Sequence, residues 1–235
     1  MDMTGKICLI TGANPGIGLA AATQLAHRQA RVVMLCRDPE RRHAAQARGR
    51  GNSGNPRIDL LQADLADFAQ VHPVAQEYAA RYPRLDIPIH HAGVMKKHRA
   101  VSADGHELRF AMHVLASFLL THRLLESLAA AGDARMIAVA SIAHRLGRLD
   151  FEDLQAQHHY GIWRQYGTSK LATILFTYQL AHRLAGTGIP ANCLHPGIIG
   201  SNIKGSPAEL HPCSRRPRRA HGQSCISPAQ QRWIG

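Results

Sequence analysis

Residues 11–18 read Thr-Gly-Ala-Asn-Pro-Gly-Ile-Gly. An apolar run, Ile-Cys-Leu-Ile, occupies 7–10 directly before them, and apolar residues recur at helical spacing over 17–28 directly after. The order is therefore strand, glycine-rich turn, helix. Glycines at such a turn let the backbone approach a pyrophosphate closely, and the helix N-terminus adds unpaired N–H groups and the positive end of a dipole. Three glycines alone are a weak signal, and a tight turn without a ligand is the plainer reading. Their place after the first strand and before the first helix is the context the phosphate-binding reading requires.

Outward from this turn the same alternation repeats. Short β-rich runs fall at 7–11, 31–36, 58–61, 85–89, 135–140 and 191–194. Longer Ala/Leu-rich stretches with helical spacing fall between them at 17–28, 40–48, 67–81, 106–131 and 163–185. Strand and helix in alternation read as βαβ units. Right-handed crossovers then put helices on both faces. The expected fold class is α/β: a Rossmann-type, doubly wound, mostly parallel sheet of about six strands. The stretch 49–56, Gly-Arg-Gly-Asn-Ser-Gly-Asn-Pro, reads as a loop by composition. After Lys204 the pattern stops. Residues 205–235 hold five arginines, one acid and four prolines, with no amphipathic run, and are expected to be a disordered basic tail behind a 1–204 domain.

Composition narrows the class. The chain has 235 residues, 45% of them hydrophobic, enough for a sizeable core. No apolar stretch approaches the roughly 18 residues of a membrane span. The start, MDMTGKICLI, lacks the features of a secretory signal, and with the first strand beginning at Ile7 no membrane anchor is expected before it. The five cysteines are scattered, with no C-x-x-C pair, so a disulfide scaffold is excluded and a reducing, cytoplasmic setting is expected. Neither H-E-x-x-H nor paired Cys/His spacing accompanies the 16 histidines, so no metal is expected. The formal charge is +12, with arginines gathered at 37–57 and 215–219. No aromatic residues interleave with them and no recognition motif appears, which argues against nucleic acid as a partner.

Five blocks, in order, resemble the short-chain dehydrogenase/reductase superfamily: Thr11-Gly12-x-x-x-Gly16-Ile17-Gly18, Asp64-Leu65 after the third strand, His91-Ala92-Gly93 after the fourth, Tyr166-x-x-x-Lys170, and Pro196-Gly197 after the sixth. The phrases CRD, HAGVM, FLLT, IAHRLGR, YGTSKLATILF and LHPGII are most similar to the retinol-dehydrogenase-like branch. The resemblance spans about 4–204. It implies a nicotinamide dinucleotide held by Thr11, Gly12, Asn14, Gly16, Ile17, Gly18, Asp64, Leu65, His91, Ala92, Gly93, Tyr166, Lys170, Pro196, Gly197 and Ser201. It also implies a small alcohol or carbonyl substrate, and a homodimer through the helices at 106–131 and 163–185. Arg37 closes the second strand, where arginine suits a 2′-phosphate and an acid suits a ribose hydroxyl. NADP(H) is the expected cofactor, and Asp38 keeps NAD(H) open.

Tyr166 and Lys170 are four apart, on one helical face with Cβ atoms about 5–6 Å apart. The ammonium is expected to draw the phenol from its usual ~10 toward neutrality, suiting it to exchange a proton with an alkoxide. Ser141 ends the fifth strand and matches the family serine that holds the substrate oxygen. The implied reaction is hydride transfer, with Tyr166 as acid, Ser141 orienting the oxygen, and Lys170 holding the ribose and tuning Tyr166.

Several positions depart from the family pattern. His113 stands where the family has an asparagine that anchors a water in the proton relay, and is expected to hold that water and titrate near pH ~6.5. His90-His91 replaces Asn-Asn. Pro88 lies in a central strand, where it removes a ladder hydrogen bond. Pro73 lies in the third helix and marks a kink or a late start. The family's substrate-covering segment and seventh strand have no counterpart after Pro196-Gly197. Two functions follow: an active oxidoreductase acting on a lipophilic alcohol, aldehyde or ketone, or a catalytically impaired member that binds cofactor or a partner.

Overall fold

The structure, a computed structural model, describes residues 1–197. Six strands form one sheet in the order β3-β2-β1-β4-β5-β6, every pairing parallel. They are β1 (Ile7–Thr11), β2 (Arg31–Cys36), β3 (Ile58–Gln62), β4 (Ile87–His90), β5 (Met136–Val139) and β6 (Ala191–Leu194). The Rossmann-type reading therefore holds. Ser201, the seventh strand and the 205–235 tail lie outside the described residues.

Alternate residues of β1 serve opposite layers, which is why the strand is apolar throughout. Cys8 and Ile10 pack with Leu19, Ala22 and Ala26 of α1 (Gly16–His27). Ile7 and Leu9 pack with Val71, Ala75 and Tyr78 of α3 (Phe68–Arg81) and with Leu120 and Leu124. Each β1–β2 and β2–β3 ladder runs for five registered residues, whereas the β4–β5 ladder has only Ile89↔Ile137 and His90↔Ala138.

The 49–56 stretch is not the expected loop, because α2 runs through Pro39–Ser53. Asp38 caps it by accepting from the Glu40 and Arg41 amides, and Pro39 fits the first turn, which needs no N–H. Gly49 is a packing position, where a Cβ would come within 3.0 Å of Ile58 Cδ1. The helix ends at Gly54, whose φ of +67° suits glycine. The Asn55 amide then donates to the Ala26 and Ala30 carbonyls at 2.8 and 3.0 Å. Packing against α1 and β3 overrides the loop-like composition.

Pro73 does not delay its helix, since α3 starts at Phe68 under an Asp67 cap and continues through Pro73. The proline is exposed, so water can serve the carbonyl it leaves without a partner. Pro88 is buried inside β4, opposite Leu9, and the strand starts two residues later than the sequence suggests. The stretch expected as one helix over 106–131 is divided into α4 (Leu108–Phe110), a π-turn (Ala111–Leu115), α5 (Ala116–Arg123) and α6 (Leu125–Ala129). The last long helix, α7, is Ile162–Arg183.

Candidate active site

The C-terminal ends of the strands form the cleft, as open α/β sheets require of a ligand site. Gly12 has φ +68°, and a Cβ there would lie 2.8 Å from the Ala92 Cα. Gly16 has φ +55° and open space around it, so this glycine serves backbone conformation. At Gly18 a Cβ would meet the Gly12 carbonyl and, at 2.8 Å, His91 Nδ1. Side chains at Gly12 and Gly18 are thus excluded from a cradle beside the N-terminus of α1. A cavity of about 230 Å³ adjoins it, with Asn14, Pro15, Arg37, Asp64, Leu65 and Met112 in its lining. Cradle and cavity together fit a phosphate-linked dinucleotide.

Thr11 turns inward instead of facing this cavity. Its hydroxyl accepts from the His91 and Ala92 amides at 3.0 and 2.9 Å, tying the end of β1 to the turn after β4. Arg37 pairs with Asp64 at 3.5 Å. Asp38 is engaged by its own helix and by Arg41 at 3.3 Å. His91 is partly buried, with Nδ1 lacking a partner; burial, then the Lys170 charge, hold its pKa below the usual value. Pro196 and Gly197 follow β6 at the same sheet edge.

Ser141 leaves β5 and caps a short 3-10 turn, Ile142–Leu146, accepting from the Ala143 amide at 3.3 Å. Tyr166 and Lys170 lie on α7. The turn and the helix meet at Gly147 and Gly167, where a Cβ on either would collide with the other segment's backbone. Thr168 Oγ1 accepts from the Arg148 amide and donates to its carbonyl at 3.0 Å, latching the same contact. Ser141 and Tyr166 are held in register by this glycine crossing. The Ser141 hydroxyl lies near enough to the phenol to favour its ionised form.

Tyr166 is not tuned as the sequence suggests. Burial raises its pKa, against opposing effects from the Ser141 hydrogen bond and the Arg109 charge. Lys170 Nζ instead donates to the Val139 carbonyl at 2.8 Å, 5.9 Å from the centre of the Tyr166 ring. Burial draws the Lys170 ammonium down to about 8. A phenol kept neutral is the form a proton donor needs.

His113 also departs from expectation. It sits in the π-turn, which adds a residue to the helical turn and re-aims its side chains. Its Nε2 accepts from the Val94 amide at 3.0 Å, and Nδ1 lies 2.8 Å from Ser169 Oγ. Ser169 Oγ donates in turn to the Tyr166 carbonyl at 2.8 Å. These partners fix the neutral tautomer with its proton on Nδ1. Neither ring nitrogen is left for a water, and burial, Lys170 and Arg109 hold the pKa well below 6.5. His113 is therefore not a group that titrates near neutrality.

Sequence reasoning misses Glu107, Arg109, Gln165 and Ser169, all buried under this site. The one signal available is a charge at Arg109 between Leu108 and Phe110, inside an apolar run.

The short chain dehydrogenase family matches residues 6–209. Over 203 residues the chain is 41% identical to retinol dehydrogenase 12 of Mus musculus and 38% identical to retinol dehydrogenase 11 of Homo sapiens, covering 86% of this chain and 64% of each relative. The chain thus spans under two thirds of the length of these curated relatives. Among solved structures, an uncharacterized protein from Mycobacterium paratuberculosis superposes with a TM-score of 0.75 at 34% identity, over 83% of this chain and 69% of that one. The RhlG/NADP active-site complex of Pseudomonas aeruginosa superposes with a TM-score of 0.70 at 28% identity, over 86% and 76%.

Proposed function

Because this chain belongs to the short chain dehydrogenase family, we propose that it is an oxidoreductase exchanging a hydride between NADP(H) and a lipophilic alcohol, aldehyde or ketone. The observation that carries the reading is the meeting of Ser141, Tyr166 and Lys170 beside the glycine cradle. The bound dinucleotide supplies or takes the hydride. Ser141 orients the substrate oxygen, neutral Tyr166 donates the proton to the forming alkoxide, and Lys170 supports both from its Val139 anchor.

Preference for NADP(H) rests on Arg37 and Arg41 at the cavity wall, with Asp38 occupied by its helix cap. The Arg37–Asp64 pair is largely exposed and worth little, so Arg37 can turn to a 2′-phosphate. A lipophilic substrate is supported by Leu146, on the turn that begins at Ser141, and by Trp163, 6.5 Å from the Tyr166 ring; they are 60% and 53% exposed. The printed names of the relatives agree with it. A homodimer through α5 and α7 belongs to the same proposal, supported by exposed Phe118, Leu175 and Tyr178, as does a cytoplasmic setting, supported by the free cysteines Cys8, Cys36 and Cys193.

One observation favours the impaired reading. His113 engages both ring nitrogens within the protein, leaving none to hold a relay water. The two readings separate on one experiment: titrate NADPH by fluorescence, then follow its oxidation with a panel of short and long-chain aldehydes. Binding with turnover favouring long chains supports the enzyme. Binding without turnover supports the impaired reading, and no NADPH binding defeats both.

A further inference from the structure

Arg109 is fully buried, and no ion pair holds it among the described residues. Removing a guanidinium from water is costly unless its donors are met. Its Nη1 donates to the Ile162 carbonyl at 2.7 Å, and its Nη2 to the Lys96 carbonyl. Nε has no partner. The guanidinium lies over the Tyr160 ring, 5.2 Å from its centre, and the Tyr160 hydroxyl donates to the same Lys96 carbonyl at 3.1 Å.

The two carbonyls are at informative places. Ile162 opens α7, and in an α-helix its carbonyl also accepts the N–H four residues on, that of Tyr166. Lys96 belongs to the segment leaving β4 and lines the cofactor cavity. Neighbouring bonds brace the same junction, with Gln165 Nε2 donating to Glu107 Oε2 at 3.0 Å and the Glu107 amide donating to Gln155 Oε1.

We propose that Arg109 is a positioning residue of the active site: one buried guanidinium ties the first turn of α7 to the cavity wall at Lys96 and sets the place of the Tyr166 phenol over the cleft. The proposal rests on the oxidoreductase reading of the same site and deepens it. Groups facing Tyr166 are Ser141 at the end of β5 and His113 in the π-turn, with its ring edge-on at 5.8 Å, from other elements, and Lys170 from α7 itself. His113 is held neutral, and Lys170 is drawn toward the Val139 carbonyl. Arg109 supplies a permanent charge among these groups, and its effect on the phenol opposes that of burial.

The test compares Arg109→Lys, which keeps the charge, with Arg109→Gln, which keeps an N–H donor and loses the charge. Tyr166 ionisation is read by tyrosinate difference absorbance, each protein against its Tyr166→Phe counterpart, so no turnover is needed. Tyr166 should ionise at higher pH in Arg109→Gln than in wild type, with Arg109→Lys returning toward wild type. Where turnover is measurable, Arg109→Gln should lower kcat on the order of 10²-fold through misplacement of the phenol, with NADPH affinity little changed. Identical Tyr166 titrations in all three proteins would overturn the proposal, whatever happens to melting temperature. If Arg109→Gln does not fold, the Arg109 Nε–H resonance of isotope-labelled wild type should move as Tyr166 ionises and stay still in Tyr166→Phe; no difference between the two overturns the proposal. A shifted titration in a protein that reduces no carbonyl upholds Arg109 and removes the oxidoreductase reading alone.

Discussion

The sheet from β1 to β3 and the region from β4 to β6 are filled by different chemistry. Around β1, β2 and β3 the interior is aliphatic, in two clusters on either face, and the ladders are five residues long. Among the buried polar residues before position 86 are only Thr11, Ser53 and Asn55. From there onward Asp86, His90, Glu107, Arg109, His113, Gln165 and Lys170 are all buried, while the corresponding apolar cluster holds only Met136, Ala138 and Ala191 at its centre. The β1–β3 region, proposed to hold the cofactor, excludes side chains at Gly12 and Gly18. The β4–β6 region, proposed to carry the catalysis, buries polar groups instead and has only a two-residue β4–β5 ladder.

If that contrast is right, acid should attack the catalytic region first. Burial lowers His90 to about 4, from an ordinary 6.5, so the unfolded chain takes up the proton before the folded one does. Stability from this group is whole above pH 6.5 and is lost as pH falls toward 4, on the order of 3 kcal/mol at the lower end. His113 is depressed in the same direction and adds to the loss. Denaturant melts from pH 7 to 4 should show the decline, and His90→Asn should flatten it; an equally steep decline in that variant would break the contrast. Next in size, Tyr166→Phe should lower turnover about 10²-fold and leave the NADPH dissociation constant unchanged. Near-normal turnover would remove Tyr166 from the chemistry.

The cofactor-side region should answer to added bulk instead. Gly12→Ala forces a Cβ against the Ala92 backbone at a positive φ, and should weaken both NADPH binding and stability by about 1–3 kcal/mol. Calorimetric titration and thermal melts read the two effects, and an unchanged melt would show that the turn gives way. Smallest is Arg37→Ala, which should reduce the ratio of NADPH to NADH affinity by about tenfold, the worth of one charge-assisted contact. An unchanged ratio would leave 2′-phosphate recognition to Arg41 or to the α2 N-terminus.

The same division governs what sequence reveals. Alternation of apolar runs with helical spacing is enough for the fold class, because β1 is buried throughout and β2 is buried from Val32 on. The Gly12, Gly16 and Gly18 cradle is legible because the three stand together at one strand-to-helix turn, although Gly12 and Gly18 also answer close contacts with Ala92 and His91. The 49–56 stretch misleads because Gly49 is selected by a distant partner, Ile58, and not by its own turn. Tyr166 and Lys170 are visible as a spaced pair, yet their electrostatics are not: the Val139 carbonyl and Arg109 come from other elements. His113 reads as a titrating residue until its Val94 and Ser169 partners are seen, and nothing local announces the π-turn that aims it.

The pairing of β1 with β4 has a consequence for how the chain is made. On the ribosome, β1 can join β2 as soon as residue 36 is free, but its other edge has no mate until Ile87–Ile89 emerges. At roughly 5–20 residues per second, that edge stays open for several seconds during every round of synthesis. A row of bare N–H and C=O groups flanked by Cys8, Leu9 and Ile10 invites pairing with a neighbouring nascent chain. Expression should therefore be limited by aggregation of partly made molecules, and translation slowed while residue 36 has left the ribosome and residue 89 has not should reduce soluble yield, whereas slowing it after residue 89 has emerged should leave yield unchanged.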